Sequence, residues 1–210
     1  ALRPSLITRP HLINRLNACL SNGTQGFAAR LTLVCAPAGF GKTTLVCAWL
    51  AHLTTVNPKI SANATAWLSL DESDNDPIRF FTYVMAALQT AIPGLGETAV
   101  QALQSPQPAP LEKILTLLIN DISQTHVSIV LVLDDYHVIT APSIHQALSF
   151  WLEHMPPQLH LLITSRSDPA LPLARWRARG QVTEIRTSDL RFSFDEIGRA
   201  SCRERVCSVV

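Results

Sequence analysis

Charge is scarce in this chain: Asp, Glu, Lys and Arg make up 16% of its 210 residues, and the formal net charge is +1. A balance this even supplies no broad basic field, which argues against general attraction to nucleic acid. Long apolar runs are also missing. None reaches the roughly 18 residues that a membrane-crossing helix needs, and the opening ALRPSLITRP has no charged-then-apolar targeting pattern. No membrane partner is expected, and a cytoplasmic location is. The first residue is not Met, so the sequence reads as a segment of something longer. The five cysteines include no C-x-x-C pair and no His at zinc-site spacing. We expect Cys35 and Cys47 to be small buried hydrophobes kept reduced. The seven histidines are scattered and read as structural or solvated, and no internal repeat is present.

What the chain does have is apolar residues, 47% of the total, enough to bury a sizeable core. Apolar runs of strand length recur at Leu31–Ala36, Thr65–Leu70, Ser128–Leu133, His160–Thr164 and Val182–Arg186. Amphipathic stretches of helix length fill the gaps at Lys42–Leu53, Pro77–Ala91, Leu111–Gln124 and Ser143–Glu153. This alternation predicts an α/β fold with a mostly parallel five-stranded sheet covered by helices on both faces. Ser128–Leu133 is continuously apolar and is expected at the centre. The acidic run Asp71–Asp76 reads as a solvated loop ending in a helix cap before Pro77. Gln104–Pro110 (QSPQPAP) reads as an exposed connector.

The chemistry is concentrated in Ala36-Pro37-Ala38-Gly39-Phe40-Gly41-Lys42-Thr43, which fits the phosphate-loop pattern except that Ala36 stands where Gly is usual. A strand precedes it and a helix follows. Gly39 and Gly41 permit the turn that aims backbone N–H groups at phosphate oxygens, and the helix beginning near Lys42 presents its positive end to the same anion. Lys42 is expected on the β- and γ-phosphates, Thr43 on Mg²⁺, and Thr44 as a packing or capping hydroxyl. Asp134 and Asp135 follow the third strand, where ligands collect in open α/β sheets. Asp134 is expected to hold Mg²⁺ and Asp135 to orient or deprotonate an attacking water. Arg166, just past the fourth strand, is placed to fork onto the γ-phosphate, with surface pairing to Asp168 as the competing reading. The Asn-Lys-x-Asp element that reads guanine is absent, so the expected nucleotide is ATP or ADP.

Longer phrases resemble one family. ITRPHLINRL (Ile7–Leu16), LTLVCAPAGFGKTTLVCAWL, AWLSLDESDNDPIRFFTYVMAALQ, LVLDDYHVI and LHLLITSRSDPALPLARWRARGQVTEIRTSDLRFSFDE occur in the order and spacing of the nucleotide-binding domain of MalT-like, LuxR-type transcriptional regulators. These belong to the STAND class of P-loop ATPases. The resemblance implies a P-loop NTPase fold and a closed resting state with ADP. It also implies self-association of the full-length protein when active, and DNA binding only through a C-terminal helix-turn-helix outside this chain. It maps Lys42 and Thr43 onto the Walker A pair, Asp134 and Asp135 onto the Walker B pair, and Arg166 onto the sensor arginine. Arg9 and Pro10 match a segment that passes near the adenine in such ATPases.

The expected division is a leading segment at 1–30, a nucleotide-binding domain at 31–196, and a tail at 197–210 whose IGRASCRERV resembles a translated sequencing adapter and is set aside as non-native. DLRFSFDE before it reads as a strand end and the cap of a new helix. A slow regulatory ATPase is the expected activity. The competing reading is a P-loop small-molecule kinase with Arg175, Arg177 and Arg179 as a lid over the phosphates. A plain exposed basic helix is the simpler account of those arginines.

Overall fold

The computed structural model describes residues 9–20, 27–56, 64–107 and 109–192. Five strands run through it: β1 (Leu31–Cys35), β2 (Thr65–Ser69), β3 (Ile129–Asp134), β4 (Leu159–Ser165) and β5 (Val182–Arg186). All pair in parallel, in the order β2-β3-β4-β1-β5. The helices are α1 (Pro10–Leu16), α2 (Lys42–Val56), α3 (Pro77–Ala91), α4 (Glu97–Leu103), α5 (Leu111–Ser123), α6 (Pro142–His154), α7 (Leu173–Ala178) and α8 (Thr187–Leu190).

Alternation along the strands divides the core into two layers, because successive side chains point to opposite faces. Leu31, Leu33, Ile129, Leu131, Leu161 and Ile163 face one side and pack with α3 to α7, through Phe80, Phe81, Leu118, Trp151 and Trp176. Val34, Val130, Val132, Leu162 and Ile185 face the other and pack with α1 and α2, through Leu12, Leu16 and Trp49. The indole N–H of Trp49 donates to Asn17 at 3.0 Å, fixing α2 against the end of α1. Both faces are therefore covered, as the alternating pattern requires.

Two sequence expectations change, and short helices are added to those expected. Ser128–Leu133 is interior, but the central strand is β4, which inserts between β3 and β1. The helices α1, α4, α7 and α8 span only 7, 7, 6 and 4 residues, too short for their periodicity to stand out. Asp189 and Leu190, the start of the run expected to end a strand, instead close a helical turn, Thr187–Leu190, capped by the Asp189 carboxylate, which accepts from the Arg186 N–H at 2.8 Å. Residues 193–210, including the tail and the expected new helix, lie outside the described residues.

The two ends of the described chain meet. Arg9 donates to the carbonyls of Leu190 at 2.8 Å, Asp189 at 3.1 Å and Arg191 at 2.8 Å, and its guanidinium lies 4.9 Å from the Phe192 ring centre. Arg15 pairs with the Asp189 carboxylate at 2.7 Å.

Candidate functional site

The loop Ala36–Gly41 leaves the C-terminal end of β1 and turns into α2. Gly39 and Gly41 have φ of +82° and +74°, and a Cβ on either would meet no atom within 4 Å. Backbone conformation, not crowding, requires glycine there. The root of the loop is held by the Ala36 N–H, which donates to the Ser165 carbonyl at 3.2 Å. Ala36 is buried, Pro37, Ala38, Gly39 and Gly41 are exposed, and Phe40 is half-buried against the α1/α2 layer.

Lys42 is buried at 7% exposure, and its ammonium donates to the carbonyls of Ala36 at 2.9 Å and Pro37 at 3.2 Å. The charge is thus folded back over the loop, with neutral carbonyls as its acceptors. Thr43 is exposed, and its hydroxyl lies 3.3 and 3.2 Å from the two carboxylate oxygens of Asp134. Thr44 is exposed too, which removes packing, but not capping, from the two roles expected of its hydroxyl.

Asp134 ends β3 and is 6% exposed. A second hydroxyl reaches it, from Thr164 on the neighbouring strand β4. Thr164 also accepts from the Asp135 N–H at 2.9 Å. That bond helps hold Asp135 at φ 60°, ψ 38°, a left-handed conformation uncommon for a non-glycine residue. It turns the Asp135 carboxylate outward, where it is 47% exposed. Asp134 and Asp135 are neighbours in sequence but occupy opposite environments, one buried and one half-exposed to solvent.

Insertion of β4 between β1 and β3 places Arg166 between the phosphate loop and the aspartates. Arg166 is exposed. His137 sits among the same charges, with Nδ1 3.7 Å from the Asp135 carboxylate. Burial pushes its basicity down first. The charges of Arg166 and Lys42 push the same way, against the opposing pull of Asp135. The fold thus gathers every proposed site residue at the C-terminal edge of three adjacent strands. It adds Thr164 and His137, which spacing alone did not single out: the first is an ordinary strand residue, the second one histidine among seven.

A further residue was hidden in the acidic run. Asn75 donates to the carbonyls of Val138 at 2.8 Å and Glu72 at 3.1 Å, and its side-chain oxygen accepts from the N–H groups of Thr140 at 2.7 Å and Ala141 at 3.1 Å. It fastens the loop after Asp135 to the turn after β2. The turn itself is the expected cap: Asp76 accepts from the Arg79 N–H at 2.8 Å.

In the basic cluster two of the three arginines are held in surface ion pairs. Trp176 is buried in the core, while Arg175 pairs with Glu153 and Arg177 with Glu184 at 2.8 Å. Arginines already tied to carboxylates offer little to a lid. Behind Ser165 and His137, a cleft of about 810 Å³ opens between α6 and the loop after β4. Among the described residues no three His, Cys, Asp or Glu side chains cluster as a metal cage. No helix there is long and apolar enough to cross a membrane.

No protein-family model matches the chain. It is 40% identical, over 201 residues and 93% of its length, to the HTH-type transcriptional regulator MalT of Serratia proteamaculans. It spans about a fifth (21%) of that relative's length. Its fold is similar to that of Cdc6p from Pyrobaculum aerophilum, with a TM-score of 0.56 and 14% identity over 88% of this chain and 48% of that one. The Drosophila ORC bound to DNA has the same TM-score, 15% identity and coverage of 97% and 47%. The ORC2 protein of Aeropyrum pernix, solved as ADPNP and ADP complexes, has a TM-score of 0.53, 16% identity and coverage of 89% and 49%. At such identities the likeness concerns the fold alone.

Proposed function

We propose, from the premise that this chain is a MalT-like sequence with the fold of P-loop AAA+ ATPases, that it is the ATP-binding and slowly hydrolysing switch domain of a LuxR-type transcriptional regulator. One observation carries the reading most. The Thr43 hydroxyl, from the phosphate loop, meets the buried Asp134 carboxylate, from a strand 91 residues on. Among the described residues Asp134 is met by hydroxyls and not by a basic side chain. A buried carboxylate in that setting suits a hard divalent cation.

Thr43 and Asp134 would hold Mg²⁺, which when bound supplies positive charge against the phosphate oxygens. The loop N–H groups from Ala38 to Thr44 and the start of α2 cradle the β- and γ-phosphates, Ala36 and Pro37 form the root of that loop, and Lys42 leaves the loop carbonyls to neutralise the phosphates. Asp135, held outward by its left-handed backbone, orients or deprotonates the attacking water. Arg166 reads whether the γ-phosphate is present. ATP and ADP then bias a two-state element differently, as a switch requires. Self-association in the active state, DNA binding through a helix-turn-helix beyond this chain and a cytoplasmic location belong to the same proposal. So do the nucleotide-binding unit at 31–196, the leading segment that places Arg9 and Pro10 near the adenine, and the non-native tail.

The test is thermal unfolding of wild type and Lys42→Ala with MgATP, MgADP or MgGTP. Ligand at about 100 times its dissociation constant adds roughly 2.7 kcal/mol, or about 5–10 °C for a domain of this size. Stabilisation of wild type alone, by adenine nucleotides alone, is the expected result. A response to none of them sinks the reading.

A further inference from the structure

The loop after β4 carries Arg166 and, two residues on, Asp168. That carboxylate is near enough in sequence to capture the guanidinium, yet its ion pairs go elsewhere. Arg186 presents both terminal nitrogens to the two Asp168 oxygens, the second at 3.3 Å, and Arg177 approaches the same carboxylate at 3.5 Å. Both arginines also hold Glu184, at 2.7 and 2.8 Å. Two cations and two anions therefore close among themselves. The geometry follows from strand order: Arg186 lies beside Cys35 and Cys35 beside Ser165, so the Arg186 side chain crosses the end of β1, at the root of the phosphate loop, to reach the sensor loop.

We propose that Arg186 and Arg177 are positioning residues that set the preference for nucleoside triphosphate over diphosphate: by occupying Asp168 they leave Arg166 to the γ-phosphate. This rests on the reading of Arg166 given above. Hydrogen bonding from Arg186 holds the Asp168 carboxyl below the usual carboxylate range, so the group stays charged and attractive to any nearby cation. Released from its two partners, Asp168 competes with the γ-phosphate for Arg166. Diphosphate binding, which makes no call on Arg166, is left unchanged.

The measurement is the ratio of dissociation constants for MgADP and for Mg²⁺ with the non-hydrolysable analogue ADPNP, on the full chain. All four side chains are partly exposed, so the variants should fold. Arg177→Gln with Arg186→Gln should lower the preference for ADPNP roughly threefold to fivefold, the scale of an exposed ion pair. Adding Asp168→Asn should bring it back to within about twofold of wild type. An unchanged ratio in the double variant, an equal loss of both affinities, or a loss that Asp168→Asn does not repair overturns the proposal. Arg166→Ala separates the two levels: if it leaves the ratio unchanged, the sensor reading itself fails.

Discussion

Lowering the pH should unfold this domain partly through one histidine. His160 lies in the central strand with no exposed surface, on the α1/α2 face. Its Nδ1 donates to the Ala29 carbonyl at 2.8 Å, and its Nε2 accepts from the Thr32 hydroxyl at 2.9 Å. The rings of Phe27 and Trp49 stand 5.0 and 6.3 Å away. A second proton would leave a charged ring without solvent, and burial pushes the ring's pKa down from 6.5 to about 4. The folded value is the lower one, so as pH falls below about 6.5 the unfolded chain takes up the proton first. Stability is complete above that pH and is lost progressively down to about pH 4. At about pH 5 the loss from this group is about 2 kcal/mol. Urea unfolding followed by far-ultraviolet circular dichroism at about pH 7.5 and about pH 5 measures it. Burial lowers His145 in the same direction, so wild type alone does not isolate His160. His160→Asn does. At the higher pH it should cost roughly 2–4 kcal/mol, from the lost ring volume and the Thr32 bond. At the lower pH that gap should narrow by about 2 kcal/mol. A gap that stays constant would refute the assignment of a buried neutral ring.

Other outcomes follow from the same geometry. Asp135→Asn should retain nucleotide-dependent stabilisation while lowering ATP turnover by about 10² or more, read by phosphate release. Gly39→Ala should cost about 1–2 kcal/mol in urea unfolding, since only backbone conformation is penalised. Gly96→Ala carries the same backbone cost at φ +71° and also drives a Cβ to 2.8 Å from the Leu118 side chain, so it should be the more destabilising of the two. Asn75→Ala strands N–H groups of Thr140 and Ala141, and a loss of roughly 2–3 kcal/mol is expected by the same assay.

The loop at Ala36 to Thr43 was legible in the sequence as a strand-to-helix turn because its pattern is contiguous: two glycines with positive φ and the helix that follows lie within eight residues. Asp134 and Asp135 were legible because a buried strand announces its end. The opposite orientations of these two were not, since they depend on Thr164, which arrives only through strand order. Arg166 could be placed near the site from sequence, but its release from Asp168 could not, because Arg186 reaches that carboxylate across an intervening strand. Asn75 looked like one more polar loop residue. Its bonds to Val138, Thr140 and Ala141 span 63 to 66 residues, a separation that no local pattern encodes. His160 was one histidine at the start of an apolar run, and only the register of β1 against β4 brings Thr32 beside it.

The clasp of Arg9 and Arg15 on the turn at Asp189 to Arg191 brings together points some 180 residues apart in the chain. The two ends of the described chain therefore lie at one port. Tension drawn between those ends would not pull the sheet apart strand by strand. It would fall first on a handful of arginine contacts, and while they hold, the strands behind them carry no load. A pull between Arg9 and Phe192 is thus borne with the loop after β1 undisturbed, until the clasp opens and α1 and β5 part company.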